Sequence, residues 1–337
     1  MSLRRKEWAL AVIGAVAAVV ALLLALLGPR AALTGWLGAA VTLEALPAGA
    51  LILLLIMGLV KGKWVDDLRG PARVFGALWP LAGLAFLPVL AGMASIYPWF
   101  GAPPHSAFAG VWLNPLFFIA RTIGWVGLGW FIASRAAGPI SEGFAAGMLI
   151  ALVVYAQFVN TDWLMTLDPK FASSAFGAQV IAFDVCIALA AMILLRVAGG
   201  APRHTGVVGG MLVTLLLIWA YFQFMPFLII WSGNLPDGVA WYMARDTFGW
   251  VAVLTVAAVL GGVPMLALFA PQVRRNPRWV AVCAAAVLAG KALEFGWLAL
   301  PGRGWLGVVA WLAALAGLGC LAIAAMLRAA RLTEAVL

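Results

Sequence analysis

Gly206–Trp231, GVVGGMLVTLLLIWAYFQFMPFLIIW, runs without one charged side chain and is followed at once by Ser232–Arg245, SGNLPDGVAWYMAR. A helix needs ~20 apolar residues to cross ~30 Å of hydrocarbon. Only a helix satisfies its own backbone polar groups there without a partner strand. The run therefore reads as a membrane span, and the stretch after it as a loop at the membrane surface. Working outward, similar runs recur at Trp8–Leu27, Trp36–Val60, Val74–Tyr97, Leu113–Ser134, Glu142–Val159, Ser174–Val197, Thr247–Leu268, Pro277–Leu300 and Trp305–Leu327. The fold class expected is an all-α integral membrane protein with about ten transmembrane helices in a single polytopic unit, residues 1–337.

Composition agrees. The chain is 66% hydrophobic and 10% charged, with a mean hydropathy of +1.09, whereas soluble domains carry roughly 25% charge. The net charge of +9 and pI near 10.1 do not point to nucleic acid, because the charges sit between the spans. Arg4, Arg5, Lys6, Lys61, Lys63, Arg69, Arg73, Arg135, Arg196, Arg203, Arg274, Arg275, Arg278, Arg328 and Arg331 fall on one face, and only Arg30, Lys170, Arg245 and Arg303 on the other. The positive-inside rule then makes both termini cytoplasmic. The first apolar run exceeds the roughly 7–15 residues of a signal h-region, so it is expected to stay as a span.

The chain has only two histidines, His105 and His204, both in loops. Membrane b-type haems need axial ligands on helices, so none is expected here. Cys186, Cys283 and Cys320 stand alone on separate spans with no metal or haem-attachment spacing. No cofactor or metal is expected on this chain, and no loop is long enough for a soluble domain.

Phe86-Leu-Pro88 followed by Pro98, and Phe224-Met-Pro226 followed by Pro236, give the same proline spacing four spans apart. An even offset implies parallel repeats. Two four-helix bundles are expected, residues 36–159 and 174–300, with one peripheral helix at each end.

Ionisable residues inside a span cost ~2.5–3.5 kcal/mol each on insertion scales and call for a reason. Glu44, Arg121, Asp184, Lys291 and Glu294 qualify. Lys291 and Glu294 are three apart and share a helix face, where they are either a mutually neutralising structural pair or part of a proton path. A buried guanidinium needs a counter-ion, which suggests a Glu44–Arg121 pair. Asp184 has no basic partner nearby except Lys291, so it is a candidate proton carrier. Tyr155, Gln157, Thr161, Tyr221 and Gln223 extend the possible path, unless they only make interhelical hydrogen bonds.

The two most patterned loops are Asp162–Gly177 (DWLMTLDPKFASSAFG) and Ile230–Arg245 (IWSGNLPDGVAWYMAR). Their Trp and Tyr residues, with Trp99, are either an interfacial belt or, together with Asp162, Trp163, Asp168, Trp231, Asn234 and Asp237, a periplasmic docking face. Both loops resemble signatures of NrfD/polysulfide-reductase-C-like integral membrane proteins, most closely the second NrfD-like subunit of alternative complex III. The resemblance extends through Leu46-Pro-Ala-Gly-Ala-Leu51, Lys61-Gly-Lys-Trp64, Tyr97-Pro98-Trp99 and Leu113-Asn-Pro-Leu-Phe-Phe118 with Arg121, covering about Glu44 to Trp250.

It implies a subunit of a quinol:cytochrome c oxidoreductase in a bacterial inner membrane, serving the respiratory chain. The partners implied are a sister NrfD-like subunit, a periplasmic iron–sulfur protein, c-type cytochromes and membrane lipid. Quinol, haem c and iron–sulfur clusters would be held by those partners, and this chain would not be catalytic alone. It would anchor them and conduct protons through its buried charges. A purely structural anchor and a proton-coupled secondary transporter are the alternatives.

Overall fold

The computed structural model describes residues 3–103 and 106–336, with the side chains of Leu3 and of the last helical residues from 332 onward excepted; His105 lies outside the described residues. Ten helices among them are long and apolar enough to cross a membrane. They are α1 (Arg4–Leu26), α2 (Pro29–Leu59), α3 (Trp64–Ala91), α4 (Pro115–Ala136), α5 (Glu142–Leu167), α6 (Phe176–Ala198), α7 (Thr205–Gly233), α8 (Phe248–Ala267), α9 (Pro277–Ala299) and α10 (Gly304–Arg331). The chain is an all-α, multi-pass membrane protein. Helix starts follow local chemistry. Asn114 and Asn276 cap α4 and α9 ahead of a proline, and Ser141 caps α5 through the Phe144 N–H.

α2 and α6 form the centre. In their apolar windows 89% and 72% of residues are buried, against 17% for α1 and α8. α2 packs on α3, α4 and α5, and α6 on α7 and α9, with α8 between α7 and α9. α1 pairs with α10 at the edge, and α10 lies along α2. The α2–α6 crossing is close because residue 49 is glycine. A Cβ there would lie 2.2 Å from the Asp184 carbonyl oxygen and 2.7 Å from Ala188 Cβ. Small residues allow this approach in a membrane, where helix association draws on packing and not on water exclusion.

Three elements differ from the sequence reading, and the first, α2, begins at Pro29, seven residues before the expected Trp36. α3 begins at Trp64, ten residues before the expected Val74, and breaks into Trp64–Gly76, Trp79–Ala85 and Leu87–Ala91, followed by Met93–Ile96. Pro80 and Pro88 each open a new segment, since proline lacks the N–H that would continue the previous one. α5 does not stop at Val159 but runs to Leu164, with a further 3-10 turn over Met165–Leu167.

The two proline pairs are also used differently. Pro88 starts a short helix, whereas Pro226 lies inside α7. α7 ends at Asn234, whose left-handed backbone (φ 44°) closes the turn with the Leu235 N–H donating to the Ile230 carbonyl at 3.2 Å. A short helix, Pro236–Met243, follows.

Candidate functional site

The buried charges sort into three groups. In the first, Arg121 of α4 meets Asp162 of α5, Nε to Oδ2 at 2.5 Å. Trp112 Nε1 donates to Asp162 Oδ1 at 2.8 Å, and Arg121 Nη2 donates to the Trp112 carbonyl at 2.9 Å. The guanidinium lies over the Trp112 and Phe117 rings, 4.3 and 4.2 Å from their centroids. Tyr155 donates its hydroxyl to the Arg121 carbonyl at 3.1 Å.

The expected Glu44–Arg121 pair does not form. Glu44 instead accepts from Trp125 Nε1 at 3.0 Å, one turn along α4 from Arg121. The counter-ion comes from Asp162 because α5 continues past Val159 and carries that residue into the interior. For the same reason Asp162 and Trp163, both fully buried, are not part of a docking surface. Trp163 donates to Thr122 Oγ1 at 3.2 Å and packs on Phe86 with ring centroids 4.0 Å apart.

In the second group Lys291 and Glu294 close on one face of α9. Lys291 Nζ donates to both Glu294 oxygens at 2.9 Å, and Trp219 Nε1 of α7 donates to both at 3.0 Å. The ammonium lies 3.4 Å from the Trp219 ring centroid. The group is neutral, fully buried and hydrogen-bonded throughout.

The third group is open. Asp184 of α6 sits at the junction of α2, α5 and α6, where the polar side chains acting on it are Glu44 and Asn160. Glu44 and Asp184 are 3% and 2% exposed, and no salt bridge reaches either. Asp184 Oδ1 and Asn160 Nδ2 are buried without a partner. Two buried carboxyl groups with no cation between them cannot both carry charge at tolerable cost. Such a junction is chemically suited to hold and pass a proton.

Tyr155 links the first and third groups, since its ring stacks on Trp125 at 6.0 Å. From Glu44 the contacts run through Trp125, Tyr155 and Arg121 to Asp162 and Trp112. Trp112 borders a cavity of 540 Å³ shared with Trp99, Thr161, Thr166 and Phe171. Tyr221 has no place in this chain of contacts: it is 57% exposed on the outer side of α7.

Trp231, Asn234 and Asp237 are exposed, and Asp168 is half-buried, its carboxylate accepting from the Lys170 N–H at 3.1 Å. These remain surface positions on the face opposite the Lys/Arg-rich loops. Beside them Arg245 is buried, donating to the Trp241 and Leu298 carbonyls at 2.9 and 3.1 Å and lying 3.5 Å over the Trp241 ring. Burial lowers its guanidinium to about 9.

Sequence reasoning missed Asn160, Trp112, Trp125 and the role of Asp67. Asp67 is buried on the Lys/Arg-rich side, accepting from the backbone N–H groups of Arg203 and His204 at 2.8 and 2.9 Å, with Arg196 Nη2 at 3.3 Å. The Asp67 signal was its place among basic residues, which concealed that it is the acid they surround. No family model matches the chain, and comparison with the curated proteins finds no match.

Proposed function

We propose that this chain is the cofactor-free membrane subunit of a quinol:cytochrome c oxidoreductase of the alternative-complex-III type, and that it passes protons through Glu44 and Asp184. The observation that carries the reading is the cation-free carboxyl junction at the α2–α6 crossing, where Asp184 has Glu44 and the Asn160 amide for polar neighbours. An ionisable group is retained inside a membrane against a standing cost only where it serves, and the other buried charges already have partners. The loop signatures supply the rest of the reading. The membrane is then a bacterial inner membrane with both termini cytoplasmic. The partners are a sister NrfD-like subunit, a periplasmic iron–sulfur protein and c-type cytochromes, docked over Asp168, Trp231, Asn234 and Asp237.

Mild-detergent capture of the chain from native membranes tests the assembly. The expected eluate shows c-type absorbance and quinol-dependent cytochrome c reduction. A colourless protein free of partners refutes it. Within the assembled complex, Asp184→Asn and Glu44→Gln are expected to lower turnover or proton stoichiometry.

The purely structural anchor is the second reading, favoured by the closed Lys291–Glu294–Trp219 group, which has no free valence for a proton in transit. It requires both neutral variants to leave turnover and stoichiometry intact.

A further inference from the structure

On the Lys/Arg-rich face two cavities adjoin at Arg275. One, of 430 Å³, opens at the start of α7 and is bordered by Arg203, His204 and Arg274; the other, of 620 Å³, opens at the start of α9 and is bordered by Asn276 and Arg278. No acidic residue lines either. Most basic residues on a cytoplasm-type face need no further account, but these differ from several neighbours.

Lys61, Arg196 and Arg331 are taken by Glu142, Asp67 and Glu7, and Arg73 donates to the Ala136 and Gly138 carbonyls. Among the described residues the guanidinium groups of Arg203, Arg274, Arg275 and Arg278 make no ion pair. Asp67, which accepts from the Arg203 and His204 backbone N–H groups, is already occupied by Arg196 and by the His204 ring at 3.3 Å.

The loop carrying Arg274 and Arg275 is seated on glycines of α7. A Cβ at Gly209 would lie 2.7 Å from Arg274 Cγ, and one at Gly206 would lie 3.2 Å from Arg275 Cγ. The arginine stems are thereby fixed while the head groups keep their donors. The first turn of α7, which no side chain caps, adds partial positive charge at the same place. Val207, exposed and apolar, lines the first cavity, and the exposed, apolar Phe269 and Trp279 lie at the end of α8 and the start of α9, on either side of the arginine loop in sequence. Cations above apolar surface, at a helix end, match an amphipathic anion.

We propose that this double crevice binds an anionic phospholipid carrying two phosphates, one in each cavity, with its acyl chains along α7, α8 and α9. Basic pockets between spans on this kind of face have the chemistry for such head groups, and guanidinium forks match phosphate oxygens. The site stands whether or not the electron-transfer reading holds.

The test uses the full chain, delipidated in mild detergent and titrated by native mass spectrometry. The probes are tetraoleoyl cardiolipin, phosphatidylglycerol at equal phosphate, and inorganic pyrophosphate as a competitor. Cardiolipin is expected to bind at least roughly tenfold more tightly than phosphatidylglycerol, without displacement by pyrophosphate. R203Q/R275Q is expected to remove that advantage, and R69Q, an equal kind of charge loss elsewhere on the same face, to retain it. If the double variant does not fold, R278Q serves, since that side chain supports nothing else. Equal binding of phosphatidylglycerol, displacement by pyrophosphate, an unchanged R278Q, or an equal loss in R69Q overturns the proposal.

Discussion

Removing Lys291 leaves Glu294 as a carboxylate 1% exposed in side chain, with only the Trp219 indole to serve it. Breaking a buried pair in this way costs about 3–5 kcal/mol, because the remaining charge is uncompensated. Lys291→Met keeps the stem volume and the contact with the Phe183 and Trp219 rings, so the loss is electrostatic. Glu294→Met strands the ammonium and is expected to cost a similar about 3–5 kcal/mol, tempered by the Trp219 ring lying 3.4 Å away. The double variant removes both charges and leaves one unsatisfied donor, the Trp219 N–H, at about 1–3 kcal/mol.

The two single losses therefore sum to far more than the double, with a coupling energy on the order of 5 kcal/mol. The measurement is a double-mutant cycle by reversible denaturant unfolding in detergent micelles, followed by tryptophan fluorescence. Single losses below about 1 kcal/mol, or an additive double variant, would refute the closed-pair account. A double variant that folds is also expected to keep full turnover in the assembled complex.

Three further outcomes follow from the geometry. Gly49→Ala is expected to destabilise by about 1–3 kcal/mol through overpacking, since its Cβ meets the Asp184 carbonyl oxygen at 2.2 Å; a neutral effect on denaturant midpoint would show that α2 and α6 part freely. Arg245 is held at about 9 against an ordinary 12.5, so between those values the unfolded chain binds the proton that the folded chain has released. Stability therefore rises as pH climbs through about 9; the wild type should gain on Arg245→Gln across that window, and parallel stability profiles would contradict it. Tyr221→Phe changes an exposed side chain on the outer side of α7 and is expected to leave proton stoichiometry unchanged; a loss there would place Tyr221 on the route after all.

The spans were legible because hydrocarbon imposes one requirement on every residue of a run, and composition alone reports it. Lys291 and Glu294 were legible as a pair for a related reason: i,i+3 spacing on a known helix fixes their geometry without any knowledge of the fold. Arg121 and Asp162, 41 residues apart, had no such local rule. Their pairing depended on where α5 ends, and helix ends are where sequence patterns are weakest. Placing the end at Val159 put Asp162 and Trp163 outside and left Arg121 to Glu44.

Extending α5 by one turn reverses all three assignments together, which explains why the errors were correlated. It also isolates Glu44. Once Arg121 is paired with Asp162, and Lys291 with Glu294, the remaining buried cation, Arg245, is held by the Trp241 and Leu298 carbonyls, and no salt bridge reaches the carboxyl groups at the α2–α6 crossing. The charge that the sequence left unmatched thus lies at that crossing, where Gly49 brings the two helices together. Asn160 is the residue most able to decide what the crossing does. Its amide is the neutral polar group that acts on Asp184, and an amide can donate to a carboxylate but cannot itself be ionised. Asn160→Leu removes the donor and keeps similar bulk. If the junction carries protons, turnover in the assembled complex should fall with this substitution while the denaturant midpoint falls little. If the junction is only structural, the midpoint should move and turnover per folded complex should not.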